Sequence, residues 1–297
     1  MAARRDRLDG FGAGALFSVA LLLAINQIVV KLVNVGLQPV FFAGLRSALA
    51  IGFVTLWMWS RGRPPVIRRE HILPGLLIGT MFAAEFLFLF LAIDLTTVGR
   101  AAVIFYSMPV WFSLMAHFGL AGERLTPIRA IGLGFAFTGT AIAILSRGTG
   151  IGPQGSLAGD LCALAGALGW AATAYVARAS RLSKAGAEMQ LFWMVLVSAP
   201  ILLAVSPLFG PLTRDLHPLH IVGLLFQASI IVTGGFISWL WLLSVYPAAT
   251  VASFSFLTPL LSVCLGWALF GESLSGVFLL AAGMVAAGIV MLNRRTA

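Results

Sequence analysis

Two charged residues stand where this chain can least tolerate charge. Glu85 lies in the middle of an apolar run from about 72 to 93, and Arg46 sits at comparable depth in the run from 40 to 60. An ionised side chain facing lipid at such depth costs roughly 2.5–3.5 kcal/mol on insertion scales, so each must face protein or water. Glu85 has two readings. It is a counter-ion for a substrate ammonium or a proton-coupling group, or it is the structural ion-pair partner of Arg46. If one pair fills both roles, protonation of Glu85 releases Arg46. Rings surround the acid in the sequence pattern: Phe82, Glu85 and Leu89 share one helical face at i, i+3 and i+7, with Phe86 beside them. Tyr106, Trp170, Trp239 and Phe256 lie deep in other apolar runs. Packing is the plainer reading for any single ring. Together with an acid, the rings make a site for flat or cationic organic molecules, since aromatic faces stack rings and attract cations by about 0.5–2 kcal/mol each. Asn26, Gln27, Thr233, Ser253 and Ser255 could hydrogen-bond a polar head or join helices to one another.

Enzymatic chemistry finds no support. The four histidines are scattered, and no zinc-protease, nucleophile-elbow or phosphate-loop spacing occurs. No metal or cofactor is implied. Cys162 and Cys264 fall within apolar runs and read as small buried hydrophobes. Helices eight and nine hold no Lys, Arg, Asp or Glu from Ile221 through Gly271, which argues against a phosphate-bearing substrate there. Small zwitterions and organic cations fit better.

The elements that position these residues follow from composition. Sixty per cent apolar and ten per cent charged residues, with a mean hydropathy of +1.01, describe an integral membrane protein. A net charge of +9 in short loops is what cytoplasmic loops need, and nucleic acid is not expected as a partner. Ten runs of spanning length occur at 11–33, 40–60, 72–93, 97–119, 126–146, 157–179, 187–206, 219–243, 248–270 and 275–292. Their continuous apolarity excludes a β-barrel and predicts helices. With the N-terminus inside, fourteen Lys and Arg fall on inner loops and tails against four outside, so both termini are expected in the cytoplasm of a cell inner membrane. Lys31, near the outer end of the first run, is expected to snorkel to the interface.

The chain also writes one stretch twice. VGRAAVIFYSMPVWFSLMAHFGLAGERL from Val98 answers AATVASFSFLTPLLSVCLGWALFGESL from Ala248, pairing Pro109 with Pro259 and Tyr106 with Phe256. Prolines inside the two copies predict bends at equivalent places, candidate hinges. Five spans per half would invert the second copy, and the basic loop 61–69 indeed answers the nearly neutral 211–218. Inverted repeats are an architecture of secondary transporters. The expected organisation is an all-α integral membrane fold: ten transmembrane helices as two inverted five-helix repeats, 1–147 and 157–293, around a central cavity.

Asn26 and Lys31, Leu45-Arg46, Ala92, Gly99-Arg100-Ala101-Ala102, the Pro109 helix and Gly122-Glu123-Arg124-Leu125, repeated in part by Trp170, Pro259 and Gly271-Glu272, resemble the EamA-like family of the drug/metabolite transporter superfamily. The Trp-Gly pair usual in that family's first helix is Leu23-Ala24 here. Glu85, Tyr106 and Trp239 are similar to the YddG-type exporters of aromatic amino acids and methyl viologen. The resemblance implies a cavity lined by helices one, three, four, six, eight and nine. It also implies a secondary transporter, monomer or homodimer, exporting amino acids and related metabolites or cationic drugs by alternating access. A non-transporting membrane scaffold or lipid-handling protein is the alternative.

Overall fold

The computed structural model describes residues 9–120, 125–146, 155–235, 238, 241–242, 245–246, 254 and 256–292. Helices α1 (Gly10–Gly36), α2 (Pro39–Ser60) and α3 (Arg69–Leu95) form the first three spans. The fourth, Val98–Gly119, is divided into α4 (Val98–Phe105) and α5 (Met108–Gly119), and α6 (Pro127–Leu145) closes the first half. The second half holds α7 (Leu157–Ala179), α8 (Ala187–Val205), α9 (Pro218–Phe226) with a π-helical continuation Gln227–Gly235, α10 (Leu257–Phe270) and α11 (Gly276–Leu292). Eight of these helical segments are long and apolar enough to cross a membrane, and α10 and α11 are shorter apolar helices, which together match the ten runs read from the sequence.

Local chemistry sets the helix ends. Asp9 caps α1 by accepting from the Gly12 amide at 2.8 Å, Ser156 caps α7 through Gly159 at 3.0 Å, and Gln38 caps α2 with Pro39 at its first position. The fourth span breaks at Tyr106 and Ser107. Pro109 cannot donate a backbone bond and its ring crowds the carbonyl of Phe105, where α4 ends. In the second half, Phe256 is a turn residue directly before α10, which carries Pro259 in its first turn.

Packing has two-fold symmetry. Helix α6 packs on its repeat counterpart α11, α2 on α8, and α4 on α10, while α3 on α7 is answered by the α9 span on α1. The self-paired helices run antiparallel. Along α6, Gly132 meets Gly288 and Met291 whereas Gly139 meets Ala281 and Met284. Along α2 and α8, Gln38 reaches Ser206, Ser47 reaches Ser198 at 3.1 Å, and Trp57 reaches Glu188 at 3.0 Å. Equivalent helices that cross antiparallel can be related only by an axis across the helices, so the second half is an inverted copy of the first. Small residues make the close approaches, as membrane helix packing requires.

Candidate functional site

The site is built where α7 crosses α3. Cβ atoms added at Gly166 or Gly169 would come within 3.3 Å of the Glu85 carbonyl and 2.8 Å of the Glu85 amide nitrogen. Only glycines let the two backbones meet at this level. The approach carries Trp170 and Thr173, one and four residues beyond Gly169, to the level of Glu85, and Thr173 lies beside the carboxyl. Trp170 stacks on Phe105 with ring centroids 4.9 Å apart and 16° between planes, and meets the Tyr106 ring edge-on at 5.5 Å. The helix break before Pro109 exposes no backbone to lipid, since Phe105 and Tyr106 are both buried.

Arg46 approaches from α2. Its guanidinium carbon stands 3.7 Å from the centroid of the Phe86 ring and 5.1 Å from that of Phe90, so it is held by aromatic faces. Phe82 packs on Phe86 at 4.6 Å. Arg46 and Glu85 are both almost wholly buried, 1% and 4% exposed, yet they form no direct ion pair among the described residues. The Nε and Nη2 of Arg46 and one carboxyl oxygen of Glu85 have no hydrogen-bond partner among the described residues. In place of the expected contact with Glu85, the guanidinium lies over the Phe86 ring. A buried network left half satisfied costs more than an apolar core of the same volume.

The remaining predicted residues divide into groups. Leu89 is packed into the main core against α7, and Phe256 is half-buried against the same core. Asn26 and Gln27 belong to a second polar cluster on α1, where the Asn26 carbonyl accepts from Gln227 at 3.2 Å. The side-chain oxygens of Asn26, Gln27 and Gln227 all lack partners among the described residues. Gln227 begins the π-helical stretch, whose looser winding is a frequent mark of functional segments. Trp239, Ser253 and Ser255 lie outside the described residues.

Sequence reasoning missed what ties the bundle together at the C-terminal end of α3. Arg100 and Asp160 form a buried ion pair, with Asp160 fully buried. Arg100 Nε lies 3.1 and 3.2 Å from the two carboxylate oxygens, and its Nη groups also donate to the carbonyls of Ala143 and Ser146. The Thr96 hydroxyl donates to Asp160 at 3.0 Å. Glu272 accepts from the Val98 and Gly99 amides at the N-terminus of α4, where the helix dipole favours an anion. Burial pushes the Glu272 carboxyl up, against the opposing pull of those two amides and of Lys31. Lys31 does not snorkel. Its ammonium donates to the Ile93 carbonyl at 2.6 Å and the Thr96 carbonyl at 3.0 Å, because the last carbonyls of α3 lack partners within their helix. A signal was present: Arg100 and Asp160 each stand three residues inside an apolar run, at ends that the proposed topology places on one side.

Comparison with known proteins agrees with this architecture. The model of the EamA-like transporter family matches twice, over residues 10–145 and 157–294. The chain is 27% identical over 295 residues to a probable amino-acid metabolite efflux pump of Salmonella typhimurium, covering 96% of this chain and 94% of that one. It is 24% identical to the uncharacterized transporter YoaV of Bacillus subtilis, over 93% and 94% of the two chains. A crystal structure 20% identical superposes with a TM-score of 0.65 over 94% of this chain and 96% of its own, a likeness of fold. With both halves matched and the helices paired as inverted copies, the chain belongs to the EamA-like transporter family and is a multi-pass membrane transporter, not an enzyme.

Proposed function

We propose that this transporter exports amino acids, aromatic ones included, by alternating access. In this reading the Glu85 carboxylate receives the substrate ammonium, Arg46 receives the carboxylate, and the Phe105, Tyr106 and Trp170 rings receive the side chain. One observation carries it. An acid and a base are buried at one level of the bundle, each with unpartnered polar atoms and no bond between them. A zwitterion bound between them would complete both, which offsets the cost of burying two charges apart. Related metabolites and flat organic cations would use Glu85 and the rings without Arg46. The Salmonella typhimurium relative, a probable amino-acid metabolite efflux pump, supports the substrate class. Tyr106–Ser107 and Phe256, the turns before Pro109 and Pro259, serve as the flexing points of the two halves. The end bearing Arg63, Arg68, Arg181 and Lys184 faces the cytoplasm of the inner membrane, following the excess of basic residues there.

Efflux from proteoliposomes tests the reading. Vesicles loaded with labelled phenylalanine, with phenylalaninol, which lacks the carboxylate, or with phenylpropionate, which lacks the ammonium, separate the two charges. Glu85→Gln is expected to slow phenylalanine and phenylalaninol efflux about tenfold or more, the loss of roughly one charge-assisted hydrogen bond. Arg46→Gln should slow phenylalanine and spare phenylalaninol. Wild-type rates for all three compounds in Glu85→Gln would remove the carboxylate from substrate binding.

A further inference from the structure

At the opposite end of the bundle from the Arg100–Asp160 pair, the α2–α3 and α7–α8 connections enclose a cavity of about 490 Å³. Its wall carries four cationic side chains, Arg63, Arg68, Arg181 and Lys184, against two carboxylates. Both carboxylates are already engaged. Glu188 accepts from the Trp57 indole at 3.0 Å, and Glu70 lies 3.9 Å from Arg68 and 3.8 Å from the His71 ring. No carboxylate pairs with Arg63, Arg181 or Lys184 among the described residues.

Two further features point to an anion. The N-termini of α3 and α8 both open onto the cavity, through Arg68 and Gly186, and neither has a side-chain cap. Their first amides are left without side-chain acceptors, and the positive ends of two helix dipoles converge on one space. His71, in the first turn of α3, lines the same cavity, is 7% exposed, and has an Nδ1 with no partner among the described residues.

Depth supplies the last argument. Trp59 closes α2 largely exposed, at 61%, and aromatic residues of that kind sit at the headgroup level of a bilayer. Val66 and Ile67 are exposed apolar residues on the loop between the helices, 56% and 57%, next to the cationic wall. We infer that this cavity binds a phosphate group, held by Arg63, Arg181, Lys184, His71 and the amides at the starts of α3 and α8. This site is separate from the proposed substrate site and stands or falls independently of the transport reading. A phospholipid headgroup and a soluble phosphate share this chemistry. Cationic clefts between helices at the inner interface are suited to anionic headgroups.

The full chain in neutral detergent would be titrated with phosphatidylglycerol, phosphatidylcholine and inorganic phosphate, with binding followed by native mass spectrometry and thermal unfolding. Phosphatidylglycerol is expected to bind and stabilise, and the double variant Arg181→Gln/Lys184→Gln to weaken it about thirty-fold, as expected for two lost interfacial charges. Arg69→Gln removes an equal neighbouring charge that does not line the cavity and should leave binding intact. All these side chains are exposed, so folding is checked by unfolding without lipid. Binding of inorganic phosphate with the same sensitivity upholds the site and names a soluble ligand as its source; binding of phosphatidylglycerol alone names the lipid. Equal binding of phosphatidylcholine, equal weakening by Arg69→Gln, or no binding of either anion overturns the proposal.

Discussion

Asp160→Asn keeps the shape of the residue on which Arg100 closes and removes its charge. Asp160 is fully buried, and the Arg100 side chain is 9% exposed. In the wild type the carboxylate takes bonds from Arg100 Nε and Nη2 and from the Thr96 hydroxyl. Hydrogen bonds to charged groups contribute about 1.5–3 kcal/mol each. Asparagine retains one acceptor oxygen, and the guanidinium retains the carbonyls of Ala143 and Ser146. The loss should therefore fall near the lower end of the roughly 3–5 kcal/mol seen when one partner of a buried pair is removed. Asp160→Ala, with no acceptor, belongs at the upper end. Removing both charges with Arg100→Met and Asp160→Leu should recover most of the loss, because apolar replacements of buried pairs are often neutral or better. The assay is the unfolding midpoint in mixed micelles titrated with denaturing detergent, for wild type, Asp160→Asn, Asp160→Ala, the singles Arg100→Met and Asp160→Leu, and their double. A loss below about 1 kcal/mol in Asp160→Asn, or a double variant as unstable as the sum of the singles, would refute the view that this pair ties α4, α6 and α7 together.

Two further outcomes follow from the same geometry. Gly169→Ala places a methyl 2.8 Å from the Glu85 amide nitrogen and 2.9 Å from its Cα, atoms that cannot swing aside, so α3 and α7 must part at a cost of about 1–3 kcal/mol. Gly283→Ala meets nothing within 4 Å and should be silent, and similar melting losses in both variants would contradict the argument. For Glu272, burial raises the carboxyl above its ordinary value, so folding takes up a proton. The stability this contributes is complete below the ordinary glutamate value and is lost as pH rises through the raised one. Wild type should therefore lose more melting temperature than Glu272→Gln as pH rises across that window, and parallel profiles would refute it.

Much of the fold was legible because lipid imposes length and apolarity on each helix. The runs at 157–179 and 187–206 match α7 and α8 within a residue, and the repeat of 98–125 at 248–274 marks the fourth span and α10 as equivalent elements. The π-helical stretch was not legible, since Gln227–Gly235 keeps the same apolar pattern whether its bonds close over four residues or five. Lys31 was misread because sequence shows its depth but not the free carbonyls of α3 beside it. The crossing at Glu85 depended on Gly166 and Gly169 of another helix, and spacing within one helix says nothing of what another brings to it. The stacked rings were named individually, yet Phe105, the partner of Trp170, was passed over as one more apolar residue of its run.

The crossing of α3 and α7 has a consequence for inheritance of function. Glu85 and Arg46 come from the first half of the chain, whereas Trp170 and Thr173 come from the second. Neither half expressed by itself could hold a solute in the manner described. A co-expressed split protein should regain activity only when the fragments reassociate, and, on the proposed reading, exchanging the second half with that of a relative would alter the preference for solute side chains through Trp170 while leaving Glu85 and Arg46 in place.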